Sequence, residues 1–423
     1  MLTSLRPLRS RNFALVWASA LVSNVGSWMQ TVALGVVVTT RSHNPLWTGA
    51  VAAAAFVPMG LLAPVGGALA DRLDRRYWLM TTTLAEAAFA GLLAVLTATG
   101  HAPSWVLLVV AFFGGVAGSV GFPTYQAMIP DLVPAGDLLG AVSLSSAQFN
   151  LGRVIGPVLA GVVLYAGSAA WAFAVNAVSF GAVVAALALV RLPPRPPVAA
   201  DGDSIVQRIV AGARIAAAEP GCRSAIILIG IVALIGSPFI ALVPAVAITA
   251  LERGKFGTSV LLTAQGIGAV CGALVLASLV QAFGRRLLVA ALGAFPVALV
   301  AYGLAPSLWA SALAIAVVGL CYIGVLTGLN TVVQRRAPPQ ARGRVLGLYM
   351  MALGVIYPVG AVCQGAIAHV VGIRAVTVAS GVALLAVLAA IAALRPGLLG
   401  ALGDVRPPAG DQPAVAASAV TAP

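Results

Sequence analysis

Charge is what this chain has least of. Of its 423 residues, 8% are charged and 61% are hydrophobic, whereas soluble domains carry about 25% charged residues. No soluble fold hides that much apolar surface, so the excess is expected to face lipid. Acids are scarcer still, 11 Asp and Glu against 24 Lys and Arg, for a formal net charge of +13. That excess does not read as a nucleic-acid surface. The basic residues, nearly all arginine, sit in short loops between apolar runs and form no stripe on a soluble face. The three histidines, His43, His101 and His369, are scattered, and so are the four cysteines, Cys222, Cys271, Cys321 and Cys363. No pair has metal-ligand or redox spacing, so no metal and no cofactor is expected, and the cysteines read as small buried hydrophobes. A nucleotide-binding loop is absent too, and nothing reads as an enzyme. Glycine and proline, 46 and 26 residues, are plentiful, which suits membrane helices.

A membrane helix needs about 20 mainly apolar residues. Twelve segments qualify: 13–38, 46–70, 77–99, 103–128, 138–166, 169–190, 223–250, 257–280, 286–304, 307–333, 343–369 and 373–394. The start, MLTSLRPLRSRNF, is basic like a signal peptide, but the run after it is too long for one, so a retained first helix is expected. With the N-terminus inside, all basic residues face the cytoplasm except Arg41, Arg253, Lys255 and Arg374 outside and Arg153 within a span. The positive-inside rule therefore puts both termini in the cytoplasm. One long polar interruption divides the chain: a bundle over 1–192, a cytoplasmic linker over 193–222, a second bundle over 223–395 and a disordered tail over 396–423. Within the linker, SIVQRIVAGARIAAA has the pattern of a short amphipathic helix on the membrane surface.

The halves repeat each other. LDRRYWLM after span two aligns with FGRRLLVA after span eight, and Gly121, Thr124, Gly136, Leu139 and Gly140 recur as Gly328, Thr331, Gly343, Leu346 and Gly347. Paired six-helix repeats are the layout of an alternating-access carrier, with its site between them near mid-membrane. The predicted fold is therefore an all-α membrane protein of twelve helices in two pseudo-symmetric bundles.

One stretch departs from the scarcity of charge. Asp71, Arg72, Asp74, Arg75 and Arg76 crowd into GALADRLDRR at the end of span two, after Gly67. A glycine, three residues, Asp-Arg and a basic pair resemble the loop 2–3 signature of the major facilitator superfamily. The chain over roughly residues 5–395 is similar to that family's bacterial efflux branch, which contains enterobactin and macrolide exporters; LRPLRSRNFALVWASALVSNVGSWMQTVAL and FGTSVLLTAQGIGAVCGAL have the look of it. The resemblance implies that Gly67, Asp71, Arg72, Arg75 and Arg76 form a gate loop whose contacts reach helix eleven near Arg342 to Arg344. The plainer reading is that these arginines set topology. In the second copy Gln281 replaces the aspartate and Ala277 the glycine, so gating there should be weaker. NLGRVIGPVLAGVV resembles the family's fifth-helix antiporter motif through Asn150, Gly152, Gly156, Pro157 and Gly161, with Ala160 in place of one glycine. Small residues four apart also allow close helix packing, and Pro157 bends a helix.

Two charges fall deep within spans, Glu86 in the third and Arg153 in the fifth. Each costs about 2.5–3.5 kcal/mol at mid-membrane, so each calls for a function or a partner. Glu86 is the sole intramembrane carboxylate and hence the candidate for proton coupling, unless it and Arg153 form a structural pair. Helices one, four, seven and ten line the cavity in the family. Asn24, Trp28, Gln30 and Thr31 on helix one, Tyr322 and Asn330 on helix ten, and Tyr357 and Gln364 on helix eleven are the candidate substrate contacts. A mostly apolar, aromatic-walled cavity suits a large amphipathic organic molecule. The expected function is proton-coupled export of a drug-like molecule or siderophore by a monomer in the bacterial inner membrane, its partners being that small molecule, protons and the lipid bilayer. An importer or facilitator of the same fold is the alternative, because fold does not fix direction.

Overall fold

A computed structural model describes residues 3–190, 205–338 and 341–403. Among these residues twelve helices are long and apolar enough to cross a membrane, matching the number expected from the sequence. The first six are α1 (Arg11–Ser42), α2 (Pro45–Arg72), α3 (Arg75–Thr99), α4 (Ser104–Leu132), α5 (Leu138–Ala166) and α6 (Ala169–Leu189). A shorter helix, α7 (Ile205–Ala218), follows. The remaining spans are α8 (Pro220–Ala250), α9 (Gly254–Phe283), α10 (Arg285–Leu304), α11 (Leu308–Arg336), α12 (Arg342–Val371) and α13 (Ile373–Leu394).

Local chemistry sets the ends. Asn44 accepts from the Leu46 amide ahead of Pro45, Asp74 accepts from the Arg76 and Tyr77 amides, and Glu219 accepts from the Cys222 amide ahead of Pro220. Each cap satisfies amides that the first turn leaves free. The seventh span thus begins at Pro220, inside the stretch expected to be linker. Of that linker, 193–204 lies outside the described residues, and α7 packs on the start of α12, where Gly212 meets Arg344. The tail expected to be disordered from 396 is helical over Pro396–Gly400, with Leu402 1% exposed. It is held because Leu402 is a large apolar side chain with a place in the core; residues 404–423 lie outside the described set.

Helices α1 to α6 pack among themselves, as do α8 to α13. The internal repeat survives as geometry. Gly121 of α4 lies against Leu79 and Thr82 of α3, and its counterpart Gly328 of α11 lies against Leu288 of α10. The two groups meet along a seam formed by α2 with α12, α5 with α9, and α1 with α8. Loops and helix ends rich in arginine mark one face of the molecule, here the basic face. Along the seam Gly49 meets Ala361 and Gly365 meets Pro45 near the opposite face, and Gly60 meets Gly354 further in. Backbone touches backbone at each of these glycines, which a side chain would prevent.

Candidate functional site

A cavity lies in the seam, between mid-span and the face opposite the basic one. Trp28, Thr31, Arg153 and Pro157 line it from the first group of helices, and Gln265 and Tyr357 from the second. Its remaining walls are largely apolar, with Val51, Phe56 and Ile240 among them. Arg153 is placed by the α5 motif. Gly152 lies against Asn24 and Gly156 against Trp28, so α5 crosses α1 closely and brings the guanidinium over the indole, with Cζ 5.7 Å from the ring centroid. That is cation–π distance. Phe149 meets the same indole edge-on at 6.1 Å, and Tyr357 meets Phe56 across the seam at 5.4 Å. Gly161, the last glycine of the motif, faces Ser259 of α9 instead. The side chain of Asn150 lies outside the described set.

No described residue accepts a hydrogen bond or forms an ion pair with Arg153. The structural pairing with Glu86 is therefore not made. Glu86 sits on α3 against α4, where a methyl added to Gly118 would stand 2.6 Å from its Oε1. It takes no part in the cavity lining and has no ion-pair partner among the described residues.

The other candidates separate. Trp28, Thr31 and Tyr357 line the cavity, although the Thr31 hydroxyl donates to the Ser27 carbonyl at 2.9 Å. Gln30 turns away from it and accepts from Asn176 of α6 at 2.9 Å. Asn24 packs against Gly152. Tyr322 is buried in an aromatic cluster, its ring 5.5 Å from both Phe239 and Phe295. Asn330 accepts from Gln334 at 2.6 Å, one turn along the same helix towards the basic face. Gln364 donates to the carbonyl of Ile235 at 2.8 Å, where α8 departs from regular α-helix.

The basic pair of the loop between α2 and α3 binds groups of the first six helices. Arg75 donates to the carbonyls of Ala70 and Ala127 and pairs with Asp131 at 3.2 Å. Arg76 donates to the carbonyls of Leu187 and Ala188 at 2.6 and 2.8 Å. Both arginines therefore tie α2 and α3 to α4 and α6 within the first group. Arg72 is exposed at the end of α2, Gly67 has open space where a side chain would go, and the Asp71 side chain lies outside the described set. Asp131 was missed by sequence reasoning, and so was Gln265. Gln265 is 3% exposed, its Nε2 has no partner among the described residues, and it lines the cavity. The signal for Gln265 was a lone amide in the otherwise apolar run of span eight.

The sequence model of the transmembrane secretion effector family matches residues 2–401. The enterobactin exporter of Citrobacter koseri is 28% identical over 353 residues, 80% of each chain. The staphyloferrin A transporter of Staphylococcus aureus is 32% identical over 165 residues, 39% of this chain and 42% of that one. Among solved structures, a bacterial homologue of the human lysosomal transporter Spinster, inward-facing and unoccupied, superposes with a TM-score of 0.69 at 15% identity, covering 94% of this chain and 97% of that one. A POT peptide transporter superposes with a TM-score of 0.73 at 12% identity, covering 93% and 96%. These likenesses show the major facilitator fold, as expected from the sequence.

Proposed function

The chain belongs to the transmembrane secretion effector family of the major facilitator superfamily, and we propose that it exports a small secreted or drug-like molecule. A siderophore is the favoured substrate class, with an antibiotic next, and transport runs by alternating access against protons. The cavity carries this reading. It is bounded by both helix groups, and a carrier of this architecture places its substrate between its repeats near mid-membrane. The likeness to an enterobactin exporter over 80% of both chains supports the substrate class and the outward direction. The positive-inside rule assigns the basic face to the cytoplasm. The glycine contacts of α2 with α12 then close the outer side, the arrangement of a carrier waiting to load from within.

Glu86 is the carboxyl proposed to carry the proton. It stands off the cavity, so its protonation would act on substrate through the packing of α3 against α4, where Gly118 leaves it room. The test is efflux from an efflux-deficient bacterial host expressing the protein and loaded with a siderophore or a macrolide while de-energised. Re-energising the cells should drive substrate out, and a protonophore should stop it. Glu86→Gln should lose uphill efflux while keeping passive exchange. Inward accumulation would make the protein an importer, and uphill efflux by Glu86→Gln equal to the parent's would remove Glu86 from the coupling step.

A further inference from the structure

The cavity holds two hydrogen-bond donors that find no acceptor among the described residues. An arginine guanidinium carries five N–H groups and no acceptor, and that of Arg153 finds no acceptor among the described residues. Across the seam the Nε2 of Gln265, 3% exposed, is likewise without a partner. Both line the cavity, and their helices meet beside them, where Gly266 lies against Val154 and the Arg153 carbonyl. A buried donor left unpaired is costly, and the amide of Gln265 is one; the guanidinium of Arg153 is half-buried and opens onto the same cavity. With no carboxylate among the described lining to answer the charge, the two define a site for an acceptor that arrives from outside.

We propose that Arg153 and Gln265 together form an anion subsite that holds a planar oxyanion, the carboxylate head of an aromatic substrate. A guanidinium grips such a head through parallel N–H bonds. The walls supply the rest: Trp28 beneath the guanidinium, then Phe56 and Tyr357. This inference rests on the export reading for its substrate and adds a mechanism for release. Arg153 belongs to α5 and Gln265 to α9, one from each helix group. An anion that bridges them is held from both sides while the seam is closed. It loses one of its two partners when α9 draws away from α5.

The test is binding of 2,3-dihydroxybenzoate to the purified full-length protein in nanodiscs, by isothermal titration calorimetry, with uncharged 2,3-dihydroxybenzamide as control. The parent should bind the acid in preference to the amide. Arg153→Gln should weaken binding of the acid at least tenfold and Gln265→Leu several-fold, with the amide little changed by either. Gln265→Glu sets a carboxylate opposite the guanidinium. It should abolish binding of the acid while holding or raising the thermal midpoint, which keeps the test informative if Arg153→Gln fails to fold. Equal binding of acid and amide by the parent, or parent-like binding of the acid by a folded Arg153→Gln or Gln265→Glu protein, would overturn the subsite. These measurements need no gradient and no direction. Efflux that persists without anion binding therefore sinks the subsite alone, and anion binding without efflux sinks the export reading alone.

Discussion

Pro238 has no amide hydrogen, so the carbonyl of Leu234, four residues back, loses its helical partner. Gln364 of α12 supplies one: its Nε2 stands 3.3 Å from the Leu234 carbonyl and 2.8 Å from that of Ile235. A carbonyl buried in an apolar bundle without a donor costs about 1–3 kcal/mol, and Gln364→Leu should destabilise the protein by about that amount, read as a lower thermal midpoint in detergent. Binding of 2,3-dihydroxybenzoate by the variant should match the parent's. Lost binding at an unchanged midpoint would return Gln364 to the cavity. Gln364 shows why the site was only partly legible. A polar side chain in an apolar span serves either a ligand or a backbone broken on another helix, and the two uses look alike along one sequence. Trp28, Thr31 and Tyr357 came to line the cavity. Gln30 did not, because its partner Asn176 lies 146 residues away on α6. Gln265 went unseen for the opposite reason, since nothing in its own span marks it as unpartnered.

At the level of elements, the loop between α2 and α3 acts as a staple. Arg75 and Asp131 are 13% and 12% exposed as side chains, enough burial for the pair to be shielded from salt. Arg75 also donates to Ala127 at 2.7 Å on the same helix end. Hydrogen bonds to charged groups contribute about 1.5–3 kcal/mol, so Arg75→Ala should lower the thermal midpoint clearly. Arg72→Ala, at an exposed position at the end of α2, should leave it within measurement error. Equal losses from the two variants would mean the basic pair serves topology alone. The sequence marked this loop by its density of charge and the family resemblance pointed it at α12. Here its basic pair ties to α4 and α6, where helix ends offer carbonyls without a helical partner. The helices themselves were legible throughout, since in lipid every backbone group must be satisfied within its own span. Asp74 was legible only as one more charge of that loop, yet its carboxylate caps α3.

For the whole molecule, the seam decides which side of the cavity is shut. Forty-six glycines give no hint of which ones meet across it; the repeat shows that there are two halves but not how they are tilted. The contacts single out Gly49, whose place leaves no room for a side chain against the Ala361 carbonyl and the Val362 backbone. Because packed interfaces are bistable rather than continuously deformable, a bulky residue there should favour the alternative arrangement of the halves over a partial gap. Spin labels at His43→Cys and Val371→Cys, both exposed at the ends of α1 and α12 facing away from the basic loops, would report the separation. The exposed native cysteines, Cys271 and Cys363, are replaced by serine first. The parent should give one short distance, and Gly49→Leu should move most of the population to a longer one. A shift from 1:99 to 99:1 requires about 5.5 kcal/mol of differential stability, and a leucine side chain forced against backbone atoms on the facing helix is able to supply a large part of it. Adding 2,3-dihydroxybenzoate should then draw the population back, because an anion bridging Arg153 and Gln265 favours the closed seam. An unmoved distance in Gly49→Leu would mean that the α2–α12 contact does not hold this face shut, leaving the crossing of α5 with α9 to do so.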